Sequence, residues 1–426
     1  MLRMHNYNKN YYRSIGSAFV ILLGILSMLG MGGCGGGDGD LTSTQTVTTC
    51  TNTPDDSQLL NNVVSRIDSA FSGAPTYKFI PSVRKKTNNS DVSIDYMVHP
   101  AAMPKAVLVL IAGGQMTAGI TGDINTGQVT ATGGNFLVRS AHLFAAKGYT
   151  VITIDQPDDF LDDTLGSTSG FAYDGYRTSV RHTVDISSIV NSENIDHLPV
   201  IILGTSRGAI SAVAQHPLAS AISLSSPVTT GSGTPVDQNS GQPLVRPGMV
   251  DIPAHVMWHV KDGCSVSPPG GSAAIVSDFN PDAASNAVQG GFDDPAQPNS
   301  CQANTVHGFL GIESCAVGLT TNRIDMLVAG LPSPQVQAAA IADTTTTNTP
   351  LDIDLSSFVT DVANGALQYQ LPFVTTSLGG ALSLAGSVVT YTPPAGLSGT
   401  IDSFVYVVEE VGGGTSHNVI KVTITP

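Results

Sequence analysis

The chain has 426 residues, a length typical of two or three domains. Hydrophobic residues make up 41% and charged residues only 12%, which is enough apolar material for a sizeable core and argues against general disorder. The net charge of -15 repels phosphate backbones and therefore argues against a nucleic-acid-binding protein.

The N-terminus has the parts of a bacterial export signal. Residues 1–13 are basic and carry no acid, and residues 15–31 form an apolar run that ends just before Cys34. Small residues before a Cys resemble a lipobox, in which the Cys becomes the lipidated first residue of the mature protein. The alternative, a permanent transmembrane anchor, is disfavoured because the run is short of the ~20 residues that span a bilayer.

We therefore interpret residues 1–33 as a signal peptide of the lipoprotein type and Cys34 as the lipidation site. The Gly-rich residues that follow predict a flexible tether and N-terminal extension over 34–75. The mature protein is expected at the outer membrane, facing the periplasm or the cell surface, and held there only by its lipid anchor. Secretion without an anchor is the alternative.

Between residues 76 and 331, apolar strand patterns alternate with helical ones. The runs at 106–111 and 199–203 are uninterrupted, as is typical of strands buried on both faces, and residues 135–147 have helical apolar spacing. Strands joined by helices predict a parallel sheet with right-handed crossovers, and hence an α/β domain. The other predicted strands are 91–100 (an antiparallel edge), 150–154, 221–224 and 254–260, and the other predicted helices are 178–190, 209–215 and 322–329.

A candidate nucleophile follows the strand predicted at 199–203. The motif Gly204-Thr205-Ser206-Arg207-Gly208 lies between this strand and a helical segment, which is the context that a G-x-S-x-G nucleophile elbow requires. Flanking glycines let strand and helix approach closely, so that the Ser206 hydroxyl stands above the carboxyl edge of the sheet. The alternative is an ordinary glycine-rich turn.

A serine hydroxyl needs a neighbouring base to take its proton. Asp262 comes directly after the strand predicted at 254–260, at the same sheet edge as Ser206, and His307 lies in a loop farther along the chain. The order Ser, Asp, His is that of α/β-hydrolases. We predict a triad in which His307 carries the proton and Asp262 orients it.

Alternatives for the acid remain open. Asp155 and the pair Asp158-Asp159 follow a strand end and are the second choice, and Glu313, close to His307 in sequence, is the third. A simple turn is the alternative for Asp262-Gly263. The other histidines of this segment are interpreted as helix-capping or packing residues: His216, His255 and His259.

Acyl transfer also needs hydrogen-bond donors at the oxygen where negative charge develops. One predicted donor is the amide of Arg207, directly after the nucleophile. The other is predicted in the loop Ala112-Gly113-Gly114-Gln115, where Gly114 or Gln115 supplies the amide. A simple glycine turn is the alternative for this loop.

Export would place the remaining cysteines in an oxidising compartment. Four cysteines remain after the signal peptide and Cys34, and they allow three disulfide pairings: Cys50, Cys264, Cys301 and Cys315. The absence of CxxC and of paired Cys/His spacings argues against a metal site.

Residues 76–331 resemble the α/β-hydrolase superfamily, and most closely a group of secreted bacterial serine hydrolases. The segments that carry the resemblance are IAGG, ITIDQPDD, YRTSVRHTVD, GTSRGAISA, HVKDGCSVSPP and CQANTVHGFLGIE. The resemblance implies an eight-stranded, mostly parallel sheet flanked by helices, and ester or amide hydrolysis without a cofactor or metal. It also implies a disulfide Cys264–Cys301 between the two triad loops, which would leave Cys50 to pair with Cys315.

The pattern changes after residue 331. Residues 332–350 are rich in Ala, Thr and Pro and predict a linker. Residues 351–426 contain the short strand patterns LDIDL, SVVTYTP, DSFVYVVEE and NVIKVTITP between turns, which predict a small all-β sandwich domain.

The C-terminal segment TYTPPAGLSGTIDSFVYVV is similar to bacterial immunoglobulin-like or cadherin-like domains, which are spacers or adhesion modules. Some of these bind calcium, and Asp352, Asp354 and Asp361 are candidate oxygen ligands. A solvated acidic face is the favoured interpretation of these three residues.

Together these patterns predict an exported serine hydrolase that cleaves a small-molecule or polymeric carboxylic ester through an acyl-enzyme intermediate. Peptidase action would use the same machinery. The alternative from a different class is a cell-surface adhesion or structural protein whose hydrolase fold is a catalytically idle scaffold.

Overall fold

The computed structural model describes residues 46–51, 75–86, 88–160, 172–229, 245–279, 283–293, 299–329, 336–361, 365–411 and 414–426. The predicted signal peptide and Cys34 lie outside these ranges. The strands are β1 Val47–Thr49, β2 Thr76–Lys85, β3 Asp91–His99, β4 Val107–Ile111, β5 Ile120–Gly122, β6 Val129–Ala131, β7 Thr150–Pro157, β8 Val200–Thr205, β9 Ala221–Ser225, β10 Ala254–His259, β11 Ala284–Gln289, β12 Val336–Ala338, β13 Ile341–Thr346, β14 Leu351–Asp354, β15 Val359–Asp361, β16 Leu367–Gln370, β17 Ala381–Ala385, β18 Val388–Thr392, β19 Thr400–Glu410 and β20 Thr415–Thr425. The helices are α1 Phe136–Arg139, α2 Ala141–Ala145, α3 Ala172–Arg177, α4 Val180–Glu193, α5 Gly208–Ala214, α6 Pro269–Ala274 and α7 Glu313–Val328.

The N-terminal domain is built on a sheet of nine strands in the order β1-β11-β10-β9-β8-β4-β7-β3-β2. Neighbours from β1 to β7 pair in parallel, whereas β3 and β2 form an antiparallel hairpin at the other edge. This is the mostly parallel, helix-flanked sheet of the α/β-hydrolase fold, and the predicted fold class is confirmed. The predicted antiparallel strand is β3, but β2 occupies the edge.

Apolar side chains cover both faces of the sheet. Along β4, Val107, Val109 and Ile111 belong to one apolar cluster, which also contains side chains of α4 and α5. Leu108 and Leu110 belong to a second cluster, with side chains of α1, α2 and α7. Successive side chains of a strand point to opposite faces, so an uninterrupted apolar run is what a sheet between two helical layers requires.

The sheet has one strand more than the resemblance implies. The additional strand is β1, which pairs in parallel with β11 at the sheet edge. Cys50, directly after β1, is buried and forms a disulfide with Cys315 of α7. Residues 47–50 of the predicted N-terminal extension therefore belong to the sheet domain, which the sequence did not reveal because a three-residue strand is too short to leave a periodic pattern.

Two predicted helices differ in extent. The helix predicted at 135–147 is divided at Ser140 into α1 and α2. Helix α7 begins at Glu313, well before the predicted start at residue 322. The first difference is a break inside the predicted helix and the second is a nine-residue extension, so local periodicity alone did not determine either helix.

The C-terminal domain is all β. One sheet has the order β13-β20-β19-β16 and another β14-β18-β17, and β12 pairs with β15. The linker prediction for 332–350 is wrong where β12 and β13 lie, because β13 pairs in parallel with β20 along its whole length. Its threonine-rich sequence is β-branched, and this composition suits a strand as well as a linker.

The C-terminal domain packs on helix α4 of the sheet domain, which contacts both β19 and β20. A hydrogen bond of 2.9 Å joins Nδ1 of the buried His417 of β20 and the Ser187 hydroxyl, and the His417 carbonyl accepts one from the Asn191 side-chain amide at 3.0 Å. A single apolar cluster includes Val184 of α4 and Val405 of β19. The two domains therefore share part of one core.

Buried histidines make the stability of this core depend on pH. Burial lowers the pKa of His99 to about 3 and of His255 and His417 to about 4, and it lowers the pKa of His182 well below its ordinary value. In the unfolded chain these rings have a pKa of about 6.5 and therefore bind protons that the folded state excludes.

We expect the free energy of unfolding to fall as the pH drops from 6.5 towards 4, by up to about 1.4 kcal/mol per pH unit for each of the four histidines. Urea denaturation followed by circular dichroism at a series of pH values measures this slope. A His417→Gln variant serves as the control. It should reduce the dependence of the free energy of unfolding on pH by the contribution of one histidine. A free energy of unfolding that does not change between pH 7 and pH 5 would contradict the prediction.

Candidate active site

Ser206 lies in the tight turn between β8 and α5. Its φ of 54° is in the left-handed region that side-chain-bearing residues rarely adopt. Hydrogen bonds hold the turn: the Ser206 amide donates to the carbonyl of Ser225 at 2.8 Å, and the Ser206 carbonyl accepts from the amide of Ala209 at 3.0 Å. A strained serine between a strand and a helix is the geometry of a nucleophile elbow.

The two glycines of the motif are required by close backbone contacts. A Cβ on Gly204 would lie 2.2 Å from the carbonyl oxygen of Gly208, and a Cβ on Gly208 would lie 2.3 Å from the carbonyl oxygen of Ile111. Any side chain at either position would force β8, α5 and β4 apart. The G-x-S-x-G spacing is therefore a consequence of how these three elements pack.

His307 and Asp262 form a buried pair. The distance from Nδ1 to Oδ2 is 2.7 Å, and the two side chains are 3% and 0% exposed. Because Nδ1 is bonded to the carboxylate, Nε2 is the ring nitrogen left for proton transfer. Nε2 is also buried, and within the described part of the chain it has no hydrogen-bond partner, the Ser206 hydroxyl included. A buried unpaired nitrogen is costly and is typical of a site that acts on a further group.

The end of β9 connects the nucleophile turn to the histidine loop. Ser225 accepts the amide of Ser206, and the next residue, Ser226, donates its hydroxyl to the carbonyl of His307 at 2.9 Å. The amide of Ser226 donates to Met257 of β10, the strand that leads to Asp262. The three predicted triad loops are thus brought together at the carboxyl edge of the sheet, where ligands of open α/β sheets bind.

A buried ion pair anchors the histidine loop. Arg139, at the end of α1, donates from Nε to Glu313 at the start of α7 at 2.8 Å, and the side chains are 1% and 0% exposed. The other carboxylate oxygen of Glu313 accepts from the amide of Gly311 at 2.9 Å. Glu313 is thus engaged by Arg139 and the backbone rather than by His307. The guanidinium also donates to three carbonyl groups: those of Gly134, Ala303 and Gly308.

The second choice for the acid also lies elsewhere. Asp155 accepts from the amides of Ala118 at 2.9 Å and Ile120 at 2.7 Å, and its burial raises its pKa. Asp159 is paired with arginines, which lower its pKa, and Asp158 is partly exposed. The interpretation of the other histidines as packing or capping residues agrees with their partners: His255 bonds Ser223 and Asn286, His259 bonds Gly290, and His216 bonds Val213.

The loop after β4 lies against the nucleophile turn. A Cβ on Gly113 would be 2.7 Å from the carbonyl oxygen of Thr205 and 3.0 Å from Cβ of Ser206. Gly114 and Gln115 are exposed, and their amides donate to no other group in the described ranges. The loop and the turn that carry the predicted oxyanion donors are therefore in direct contact.

Both expected disulfides are present, Cys264–Cys301 and Cys50–Cys315. The first joins the loop that follows Asp262 to the loop that precedes His307. The second fastens the N-terminal strand to α7.

Other predicted ligands have protein partners. Asp352 accepts from the Thr390 hydroxyl, and Asp354 accepts from Ser356 and Ser387. Among the residues that the structure describes, no cluster of His, Cys, Asp and Glu could hold a metal ion, and no helix has the length and apolar character needed to cross a bilayer.

Comparison with known proteins agrees with this domain arrangement. Residues 333–423 match the family model of a bacterial Ig domain. The C-terminal domain is immunoglobulin-like. This Ig-like domain begins before the predicted boundary at residue 351, as the positions of β12 and β13 also indicate.

Solved structures with a similar fold include several hydrolases. A cold-adapted esterase from an Arctic intertidal metagenomic library is 12% identical, covering 59% of this chain and 94% of that chain, with a TM-score of 0.37. The peroxisomal alpha-beta-hydrolase Lpx1 of Saccharomyces cerevisiae is 10% identical, covering 61% and 92%, with a TM-score of 0.39. A thermostable carboxyl esterase of Bacillus coagulans is 12% identical, covering 59% and 99%, with a TM-score of 0.37. No curated protein sequence matches the chain, and similarities this low carry no conclusion about substrate.

Replacing Arg139 by Met should destabilise the protein strongly, because it leaves the buried Glu313 carboxylate without its cation. We expect the free energy of unfolding in urea to fall by about 3–5 kcal/mol. The control is Lys105→Met, which removes an exposed ion pair of 3.0 Å with Asp325 and should cost less than about 1 kcal/mol. Equal losses in the two variants would contradict the anchoring of the histidine loop by Arg139.

Proposed function

We propose that the chain is an exported serine hydrolase that cleaves carboxylic esters through a covalent acyl-enzyme. One observation carries the proposal: the His307–Asp262 pair, with a buried and unpaired Nε2, lies at the same sheet edge as the strained turn of Ser206. A nucleophile, a base and an orienting acid are the three groups that this chemistry needs.

In the proposed first half-reaction, Ser206 Oγ attacks the ester carbonyl carbon while Nε2 of His307 takes the hydroxyl proton. Asp262 keeps the proton on Nδ1 and stabilises the imidazolium that forms. The carbonyl oxygen becomes an oxyanion and accepts hydrogen bonds from the amide of Arg207 and from that of Gly114 or Gln115. When the tetrahedral intermediate collapses, the bond to the alcohol breaks and the alcohol leaves with the proton from Nε2.

In the second half-reaction water replaces the serine as the nucleophile. His307 takes a proton from the water, the new intermediate collapses, and Ser206 recovers its proton as the carboxylic acid leaves. The protein groups named here supply every proton transfer, so the mechanism needs no cofactor. We propose a small-molecule or polymeric ester as the substrate.

We also propose that residues 1–33 direct export and that Cys34 is lipidated. The two disulfides support this proposal, because such bonds persist in oxidising compartments. A lipid-anchored protein would face the periplasm or the cell surface with its membrane contact confined to the acyl chains.

Ser206→Ala should abolish activity. With a panel of p-nitrophenyl acyl esters we expect kcat to fall by at least about 10⁴-fold, since the nucleophile is lost while the fold is kept. A fluorophosphonate probe should label the wild type and the control Ser277→Ala, whose serine is exposed and distant from the triad loops in sequence, but not Ser206→Ala. Labelling that persists in Ser206→Ala would overturn the assignment of the nucleophile to Ser206, and an absence of labelling in folded wild type would overturn the proposal and favour an idle scaffold.

Cys34→Ala should release the protein from membranes. Full-length chain produced in a Gram-negative host with an alkyne fatty acid should incorporate the label and sediment with the membrane fraction, because its acyl chains insert in the bilayer. The Cys34→Ala protein should do neither, whereas the neighbouring control Ser43→Ala should behave as wild type. If the Cys34→Ala protein still incorporates the label and still sediments with the membrane fraction, lipidation at this residue is contradicted.

A further inference from the structure

Arg177 is buried directly beside the loop that follows β4. It is the last residue of α3, and its Nη2 lies 3.0 Å from the carbonyl oxygen of Ala112 and 3.1 Å from that of Gly114. Its Nη1 donates to the Ser211 hydroxyl of α5 at 3.1 Å. One guanidinium thus connects the glycine loop to the helix that begins after the nucleophile turn.

The glycine loop needs an external support. Gly113 and Gly114 have no Cβ, and Gly114 has a φ of +53°, so their backbone has access to many conformations. Within the loop the amide of Met116 donates to the carbonyl of Gly113 at 2.9 Å, which closes a turn. The hydrogen bonds from Arg177 fix the direction of the two peptide groups on either side of that carbonyl, and Nη2 also lies 3.5 Å from the Gly113 carbonyl oxygen itself.

The direction of a carbonyl determines the direction of the amide in the same peptide group. In a trans peptide C=O and N–H point to opposite sides. The carbonyls of Gly113 and Gly114 both lie within hydrogen-bond distance of Arg177, so the amides of Gly114 and Gln115 point away from Arg177. Both residues are exposed in a loop that packs against Ser206, so holding their carbonyls leaves both amides available to an oxyanion.

Burying the Arg177 guanidinium costs free energy. Burial lowers its pKa to about 10, so it remains a cation at neutral pH, and its Nε has no partner in the described ranges. Asp174, in the same helix, offsets part of this charge and also pairs with the side chain of Arg207, the residue after the nucleophile. A buried cation without a direct ion pair costs stability, and the contacts of Arg177 with the glycine loop suggest a function that would balance this cost.

We infer that Arg177 is a positioning residue for the oxyanion hole: it holds the carbonyls of Ala112, Gly113 and Gly114 so that the amides of the glycine loop are directed at the oxyanion. This inference rests on the proposed function.

The test compares Arg177→Met and Arg177→Lys with a matched control, Arg84→Lys. Arg84 is equally buried, but it pairs with Asp159 and Asp185 instead of the glycine loop. For Arg177→Met we expect kcat on a p-nitrophenyl ester to fall by about 10²-fold with KM within about twofold, because a misdirected donor weakens only the transition state. Arg177→Lys should recover part of the loss, and Arg84→Lys should keep kcat within about twofold even where its Tm falls.

Inhibition by a trifluoromethyl ketone is a second measurement, and its inhibition constant does not change when the variant merely loses stability. Its adduct with Ser206 places an oxyanion in the hole, so its inhibition constant should rise in the Arg177 variants by the same factor as kcat falls. If Arg177→Met does not fold, the Arg177→Lys variant decides the test. For this variant we expect kcat to fall and the inhibition constant to rise by about tenfold each.

Two results would overturn the inference. One is a kcat within about threefold of wild type in folded Arg177 variants, and the other is an equal loss of kcat in Arg84→Lys at equal loss of Tm. In either case an active wild type leaves the proposed function in place. A folded wild type that neither cleaves esters nor reacts with a fluorophosphonate overturns the proposed function, and this inference with it.

Discussion

Parallel pairing of β4, β8, β9 and β10 is the constraint on which the candidate site depends. It aligns four carboxyl ends along one edge of a sheet that is covered on both faces. The glycine loop follows β4, Ser206 follows β8 and Asp262 follows β10, so register alone brings these groups to one edge.

The loops above that edge are irregular and are held by long-range interactions. Arg139 donates to carbonyls on both sides of His307, and Arg177 donates to carbonyls of the glycine loop. Each buried cation is compensated by peptide dipoles and a carboxylate, which offsets part of its desolvation cost. The Cys264–Cys301 disulfide adds a covalent link between the acid and histidine loops. Two guanidinium groups and one disulfide therefore fix the positions of the loops, as strand pairing fixes the positions of the strands.

The Ig-like domain is part of this architecture and not a module on a long tether. It packs on α4, the helix that follows Arg177 closely in the chain, and it buries His417 there. A spacer that only projected the catalytic domain from a surface would not need a shared core. The Ig-like domain supports one of the helical layers that cover the sheet.

Local patterns in the sequence were sufficient for the α/β class, the separate β domain, the elbow around Ser206 and the order of Asp262 and His307. These depend on short-range periodicity and on the steric demands of Gly204 and Gly208, and both can be recognised in a few neighbouring residues. Strands β1, β12 and β13 were missed, because each is short and is stabilised by pairing with a strand that is not its neighbour in the chain. Arg139 and Arg177 were missed for the same reason: an arginine in a helix looks like a surface residue until the chain folds and brings carbonyls around it. Tertiary structure alone decided which carboxylate meets His307 and which meets an arginine, since that choice depends on distances between residues far apart in the chain.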